Sequence, residues 1–276
     1  MKKQHSLKRR LLLLSGVAAI MCTSCIFIPP KEEVEVLKKD GLTLVWQDEF
    51  EYTGVPDTSK WKYEEGNHGW GNKEKQNYID NTTEAKTAIV NGEYLTIKAY
   101  IEGNEWKSAR MNSKQSWKYG YIEARMKITD RPGAWPAFWM MPKDSVYGTW
   151  PRSGEIDIME NAPASAGPHK IFSSLHALGH YDGNPASIGS KKINNLSSEW
   201  HTVGLRWTEE KISCYYDDVF AGEYVNNGTG YKDWPYDQNF YIILNLAIGG
   251  KLGGDGYVDS LNGQAEFLID YVRVYQ

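Results

Sequence analysis

Cysteine is scarce in this chain, three among 276 residues, at Cys22, Cys25 and Cys214. The first two close an apolar N-terminal stretch, so the body of the chain holds Cys214 alone and cannot form an internal disulfide. Stability has to come from a hydrophobic core, and roughly 250 residues suffice for one large all-β domain better than for two small ones. Long apolar runs are missing as well. Leu11 to Met21 is about 11 residues long, short of the ~20 that cross a bilayer as a helix. Lys2, Lys3, Lys8, Arg9 and Arg10 precede it, which is the pattern of an export signal. No charge of one sign dominates: the net charge is −4 with both signs interspersed, which argues against a nucleic-acid partner. There is no His-Glu-x-x-His element, nucleophile elbow, phosphate loop or dinucleotide fingerprint. No metal or organic cofactor is therefore expected for catalysis.

Phenylalanine is sparse too, 7 residues against 11 Trp and 18 Tyr. Trp and Tyr offer a flat face with a hydrogen-bonding edge, which matches a sugar ring's C–H face and hydroxyl rim. Part of this aromatic content is expected to be ordinary core.

Along the chain, small residues precede a cysteine in Cys22-Thr23-Ser24-Cys25. This resembles the lipobox of bacterial lipoproteins, which implies a signal peptide over 1–24 and lipidation of Cys25. Ordinary cleavage near Ser24 is the plainer alternative. Residues 25–40 hold Pro29, Pro30 and several charges without periodicity, and read as a tether. From 41 to 276 short β-rich runs alternate with turn residues, and no apolar-periodic helix of about 12 residues or more appears. Leu42–Trp46, Tyr94–Lys98, Gly120–Ile128, Thr202–Trp207, Lys211–Tyr216, Phe240–Leu246 and Phe267–Tyr275 read as strands. Asn91-Gly92 and Asp182-Gly183 are among the turns between them. The fold class is all-β, an antiparallel sandwich or jelly roll.

The segment Gly154-Glu155-Ile156-Asp157-Ile158-Met159-Glu160-Asn161 carries the chemistry. On a strand Glu155 and Asp157 share one face, with Ile156 and Ile158 on the other. Glu160 would then fall on the apolar face, where a lone carboxylate is costly. A β-bulge at Ile158-Met159 returns it to the acidic face. Four effective steps place the two glutamate backbones ~13 Å apart, and inward-leaning side chains bring the carboxyls to about 5–6 Å. That overlaps the ~5–5.5 Å of retaining glycosidases. Three acids in a row are also expected to spread their pKa values, so that one stays charged while another holds a proton. A solvated acidic strand face would be the functionless alternative.

This segment resembles the signature of glycoside hydrolase family 16 in its bulged, laminarinase-like form. Trp46–Phe50, Trp135–Trp139, Asn245–Gly250 and Ile269–Tyr275 resemble further blocks of that family, so the likeness runs from about Leu44 to Gln276. It implies a concanavalin-like β-jelly roll with a glycan cleft on its concave face. It also implies Glu155 as nucleophile, Glu160 as acid/base and Asp157 as a helper. Gly69–Tyr78 looks like the family's loop beside the cleft, where Asn67, Glu74 or Gln76 would bond sugar hydroxyls. Trp135, Trp139 and Trp150 are candidates for stacking, and Arg110, His176 and Asn245 for lining the cleft. The family often carries a structural calcium, here implied at the Asp270 side chain and backbone oxygens near Glu49 and Gly92.

The expected activity is retaining endo-hydrolysis of β-1,3- or mixed-linkage β-1,3-1,4-glucan by a monomer, lipid-anchored at Cys25 to the bacterial envelope and displayed on the outer membrane. A galactan hydrolase of the agarase or carrageenase kind is the runner-up, disfavoured because Arg110, Lys143 and Arg152 form no dense basic cluster for sulfate. A glycan-binding lipoprotein without catalysis is the alternative from another class, since fold does not fix function. It would have no reason to hold Glu155 and Glu160 together.

Overall fold

The computed structural model describes residues 38–276. The proposed signal peptide and lipid site at Cys25, with most of the tether, lie outside the described residues. Lys38–Lys39, expected to end the tether, instead pair with the strand Leu42–Asp48. The Lys39 ammonium reaches Glu123 and, at 2.7 Å, Asp218, and lies 4.5 Å from the Tyr121 ring. Two opposite charges and an aromatic face hold it, so Lys38 and Lys39 belong to the described fold and not to the tether.

Two antiparallel-dominated sheets, one of twelve strands and one of seven, face each other across one hydrophobic core. Alternation explains how each strand contributes. In Leu95–Glu102, Leu95, Ile97 and Ala99 are fully buried while Thr96, Lys98 and Tyr100 are not. Its entry is the expected Asn-Gly turn: the Asn91 side-chain oxygen accepts the N–H groups of Glu93 and Tyr94 at 3.0 Å each. The sequence-read strands all form, with ends moved by a few residues. Phe267–Tyr275 grows to Gln264–Tyr275, because the left-handed pair Asn262-Gly263 turns the chain early enough for Gln264 to meet Tyr100. The helices among the described residues are three to seven residues long.

The seven-stranded sheet carries the cleft. Its strands in chain order are β1 (Trp61–Tyr63), β2 (Arg110–Ser113), β3 (Ala134–Pro142), β4 (Glu155–Asn161), β5 (Lys170–His176), β6 (Ala186–Lys192) and β7 (Phe240–Ile248). In space they run β6-β5-β4-β3-β7-β2-β1. The acidic strand β4 is therefore central, flanked by β3 and β5. Five of the 11 tryptophans (Trp61, Trp106, Trp117, Trp207 and Trp234) are core, while four (Trp70, Trp135, Trp139 and Trp150) line the open face of this sheet. The Trp-rich composition thus divides between packing and a surface a sugar can stack on.

Candidate active site

Strand β4 places its acids by breaking register once. Asp157 lies opposite Ser174 and Glu160 opposite Phe172, so Ile158 and Met159 together face the single Ser173. The β3 pairing slips at the same point, with Trp139 opposite Asp157 and Phe138 opposite Met159. This is the bulge expected from the spacing. Ile156, Ile158 and Met159 are all fully buried in the core, and Glu155, Asp157 and Glu160 all face the cleft. A bulge leaves ladder groups unpaired. Here the Ser173 hydroxyl donates to the Ile158 carbonyl at 2.6 Å, and its oxygen lies 2.7 Å from the Tyr216 hydroxyl. With the Ser173 proton so committed, Tyr216 donates, and the bulge is tied through the core to the opposite sheet. Gly154 precedes Glu155 at φ +84, where a Cβ would sit 2.8 Å from Pro235. Glycine fits this left-handed, closely packed entry to the strand, where a side chain would not.

The cleft encloses about 610 Å³ and is lined by the three acids together with Trp70, Arg110, Trp135, Trp139, Trp150 and His176. Each acid has a distinct partner. The Trp135 indole donates to Glu160 Oε1 at 2.9 Å. The Trp150 indole and the Asp157 carboxyl both lie close enough to Glu155 to bias its protonation. His176 Nε2 lies 3.2 Å from Asp157 Oδ2 and 3.9 Å from Glu155 Oε1. Because His176 Nδ1 accepts the Asp182 backbone N–H at 3.1 Å, the ring proton is assigned to Nε2, the nitrogen nearer Asp157. Tyr236 fixes the same strand end by donating to the His176 carbonyl at 2.9 Å.

Burial is the first cause of every acid's shift. It pushes Glu155 up to about 8, with the Asp157 charge adding to it, and Asp157 up to about 7. Glu160 is driven well above the usual carboxylate range, again by burial first and then by Asp157. All three are raised, so the expected split, with one carboxyl held low and charged, does not appear in the free cleft. Burial thus favours a protonated Glu160 and opposes simultaneous ionisation of Glu155 and Asp157.

A second network shapes the neighbouring part of the cleft. The Trp139 indole donates to Asn245 Oδ1 at 2.7 Å, Asn245 donates to the Tyr78 hydroxyl at 3.0 Å, and Tyr78 donates to Glu74 Oε2 at 3.3 Å. Burial raises Glu74, which Gln76 and Asn72 oppose by hydrogen bonds. The Arg110 guanidinium bonds Glu64 and stands 4.6 Å from the Trp139 ring and 4.8 Å from the Trp70 ring.

Of the sequence-read binding residues, Glu74, Arg110, Trp135, Trp139, Trp150, His176 and Asn245 line this cleft, and two do not. Gln76 is fully buried: its amide donates to Glu74 at 2.7 Å and its oxygen accepts the Ile248 N–H at 2.7 Å, so it supports Glu74 from behind. Asn67 is turned outward, where its amide reaches Glu105 at 3.0 Å, because Gly66 is already tied to Tyr78 by backbone bonds. Trp70, Asn72, Asp182 and Lys251 line the cleft without having been singled out. Trp70 had a signal in the sequence, an aromatic between Gly69 and Gly71, and the structure holds it at φ +50.

The blocks named for calcium do adjoin. Strand Gln264–Tyr275 pairs Val272 with Asp48 and Ile269 with Leu95, which sets Asp270 between Glu49 and the Asn91-Gly92 turn. The Asp270 carboxylate bonds Arg125, and the Glu49 carboxylate takes two 2.8 Å bonds from Arg273, leaving backbone oxygens as the remaining donors.

An antiparallel sandwich with paired cleft glutamates on a bulged central strand, walled by tryptophans, defines a glycoside hydrolase. The sequence profile of the glycosyl hydrolases family 16 matches residues 72–273, and the chain belongs to that family. It is 38% identical over 247 residues to a beta-glucanase of Rhodothermus marinus, covering 84% of this chain and 85% of that protein. The laminarinase structure from Rhodothermus marinus superposes with a TM-score of 0.78 at 37% identity, over 84% of this chain and 96% of the other. That of the laminarinase from Flavobacterium sp. UMI-01 gives 0.77 at 35% identity, over 84% and 100%.

The raised carboxyls make stability depend on pH with a definite sign. The folded state holds protons that the unfolded chain, with Glu near 4.3, has released, so stability falls as pH rises from there toward the folded values. Glu160→Gln keeps an acceptor for Trp135 and removes one such proton. Its melting temperature, by calorimetry, should match the wild type near pH 4 and exceed it increasingly toward pH 8. A difference that does not vary with pH would contradict the burial account.

Proposed function

We propose that this chain is a retaining endo-β-glucanase acting on glucans that contain β-1,3 linkages. The observation that carries the reading is the concave-face row Glu155, Asp157 and Glu160, brought into line by the Ile158-Met159 bulge. Glu155 attacks the anomeric carbon while Glu160 gives its proton to the departing glycosidic oxygen, and the glycosidic bond breaks as a glycosyl ester forms. Water then attacks the same carbon, Glu160 takes its proton, and the ester bond breaks to free Glu155. Asp157 accepts the Glu155 proton at the start, and the Nε2–H of His176 faces the charge so formed. A binding module would gain nothing from three carboxylates whose ionisation burial opposes.

Cleft charge favours a neutral polymer. The lining cations Arg110 and Lys251 are paired with Glu64 and Asp182, so neither offers a free charge to sulfate. The likeness to a beta-glucanase and to laminarinases points the same way. Product analysis on laminarin, lichenan, barley glucan and agarose tests this. Oligosaccharides should appear from one or more of the β-1,3-containing glucans and none from agarose; depolymerised agarose beside intact glucans would overturn it.

We also propose a lipid anchor, supported by the basic and apolar leader and by Cys25 after Thr23-Ser24. One acyl chain holds a protein marginally and several hold it firmly. Cys25→Ala should therefore move the protein from the membrane fraction to the soluble one with glucanase activity intact, and protease shaving of intact cells should release the wild-type domain. Unchanged membrane association would refute the lipid site. A structural calcium beside Asp270 belongs to the proposal too, with Arg125 competing for the carboxylate; added calcium should then raise the melting temperature and chelation reverse it.

A further inference from the structure

Lys251 and Asp182 form a 2.9 Å ion pair although they are 69 residues apart, and both line the cleft. Their origins in the fold give the pair its meaning. Lys251 sits on the short helix Gly250–Gly253 that follows β7. The end of β7 pairs with the start of β3, Ile248 opposite Ala134, and β3 meets β4 with Ala137 opposite Glu160. The helix thus stands at the Glu160 end of β4, where Ser165, just past that strand, donates to the Leu252 carbonyl at 2.9 Å. Asp182 belongs to the loop from 177 to 185 that joins β5 to β6, and β5 ends at His176, opposite Glu155. The two residues come from opposite ends of the strand that carries the acids. The ion pair therefore links the two ends of that strand within the cleft that both residues line.

We infer that the Lys251–Asp182 pair is a specificity determinant, a bridge over the cleft that admits unbranched glucan and disfavours glucose units bearing a side branch. This deepens the glucanase reading and rests on it. A linear chain can lie beneath the bridge, but a branch at that point needs it open. Both residues are about half exposed, so the bridge is a gate of modest height: exposed pairs reach ~1 kcal/mol, which is about fivefold at ~1.4 kcal/mol per tenfold. The loop is also latched, since the Asp182 N–H is the donor that fixes the ring of His176 beside Asp157 and Glu155.

The test compares wild type, Lys251→Met, Asp182→Asn and the double variant. Asn suits the left-handed backbone at 182 (φ +53) and retains the N–H to His176. The readout is kcat/KM on a β-1,3-glucan carrying β-1,6-linked glucosyl branches divided by kcat/KM on the same backbone unbranched. That ratio should rise about fivefold in each single variant and no further in the double, as expected for two partners of one interaction. Added salt should raise it in the wild type and leave it unchanged in the variants. A ratio unmoved in both single variants overturns the bridge. A wild type that leaves the unbranched glucan intact tells instead against the glucanase reading.

Discussion

The catalytic face depends on one irregularity, the extra residue in β4. A regular strand would send Glu160 into the core with Ile156 and Ile158. The bulge instead places Ile156, Ile158 and Met159 inside and all three acids outside. The disrupted ladder is satisfied locally: Ser173 takes the Ile158 carbonyl, and Tyr216 joins the bulge to the opposite sheet. The same packing that excludes water from the core therefore sets the separation of the carboxylates. Rotamer freedom at the acids is limited further by Trp135 on Glu160 and Trp150 on Glu155.

Once the acids share a face, their burial does chemical work. A buried carboxyl resists ionisation, and a row of them resists it more strongly. Glu160 responds by keeping its proton, as a general acid requires. Glu155 and Asp157 resist ionising together, which allows the nucleophile to lose its proton when a glycan arrives. His176, its tautomer set by the Asp182 backbone, brings its Nε2–H near Asp157. Around this centre the Trp139–Asn245–Tyr78–Glu74 chain and the Arg110 stack hold a rigid aromatic wall, so that binding spends little on ordering side chains.

Much of this was legible in the residue order. Period-two alternation marked the long strands, and the five-residue spacing of Glu155 and Glu160 demanded a bulge because a buried lone acid is costly. Other parts were hidden for physical reasons. Strand β3 contains Pro136 and Pro142, residues that usually argue against an interior strand, so it was visible as a family block before it was visible as a strand. Gln76 and Asn67 belong to polar positions whose direction depends on which strand they meet: Glu74 and Ile248 capture the first, and Glu105 the second. Lys251 and Asp182 became neighbours through the arrangement of a short helix and a loop that no local pattern encodes. The fate of the aromatics was equally a matter of topology, since Trp61 ends in the core and Trp70 in the cleft.

The roles of Glu155 and Glu160 follow from position and burial together, and azide trapping on an activated glycoside separates them. With Glu160→Ala the covalent intermediate still forms on Glu155, and azide should attack it to give the β-glycosyl azide. With Glu155→Ala azide occupies the vacated place and should give the α-glycosyl azide. Product stereochemistry by NMR on the two variants decides the matter: that pair of outcomes is what the account predicts, and the reverse pair would exchange the nucleophile and the acid.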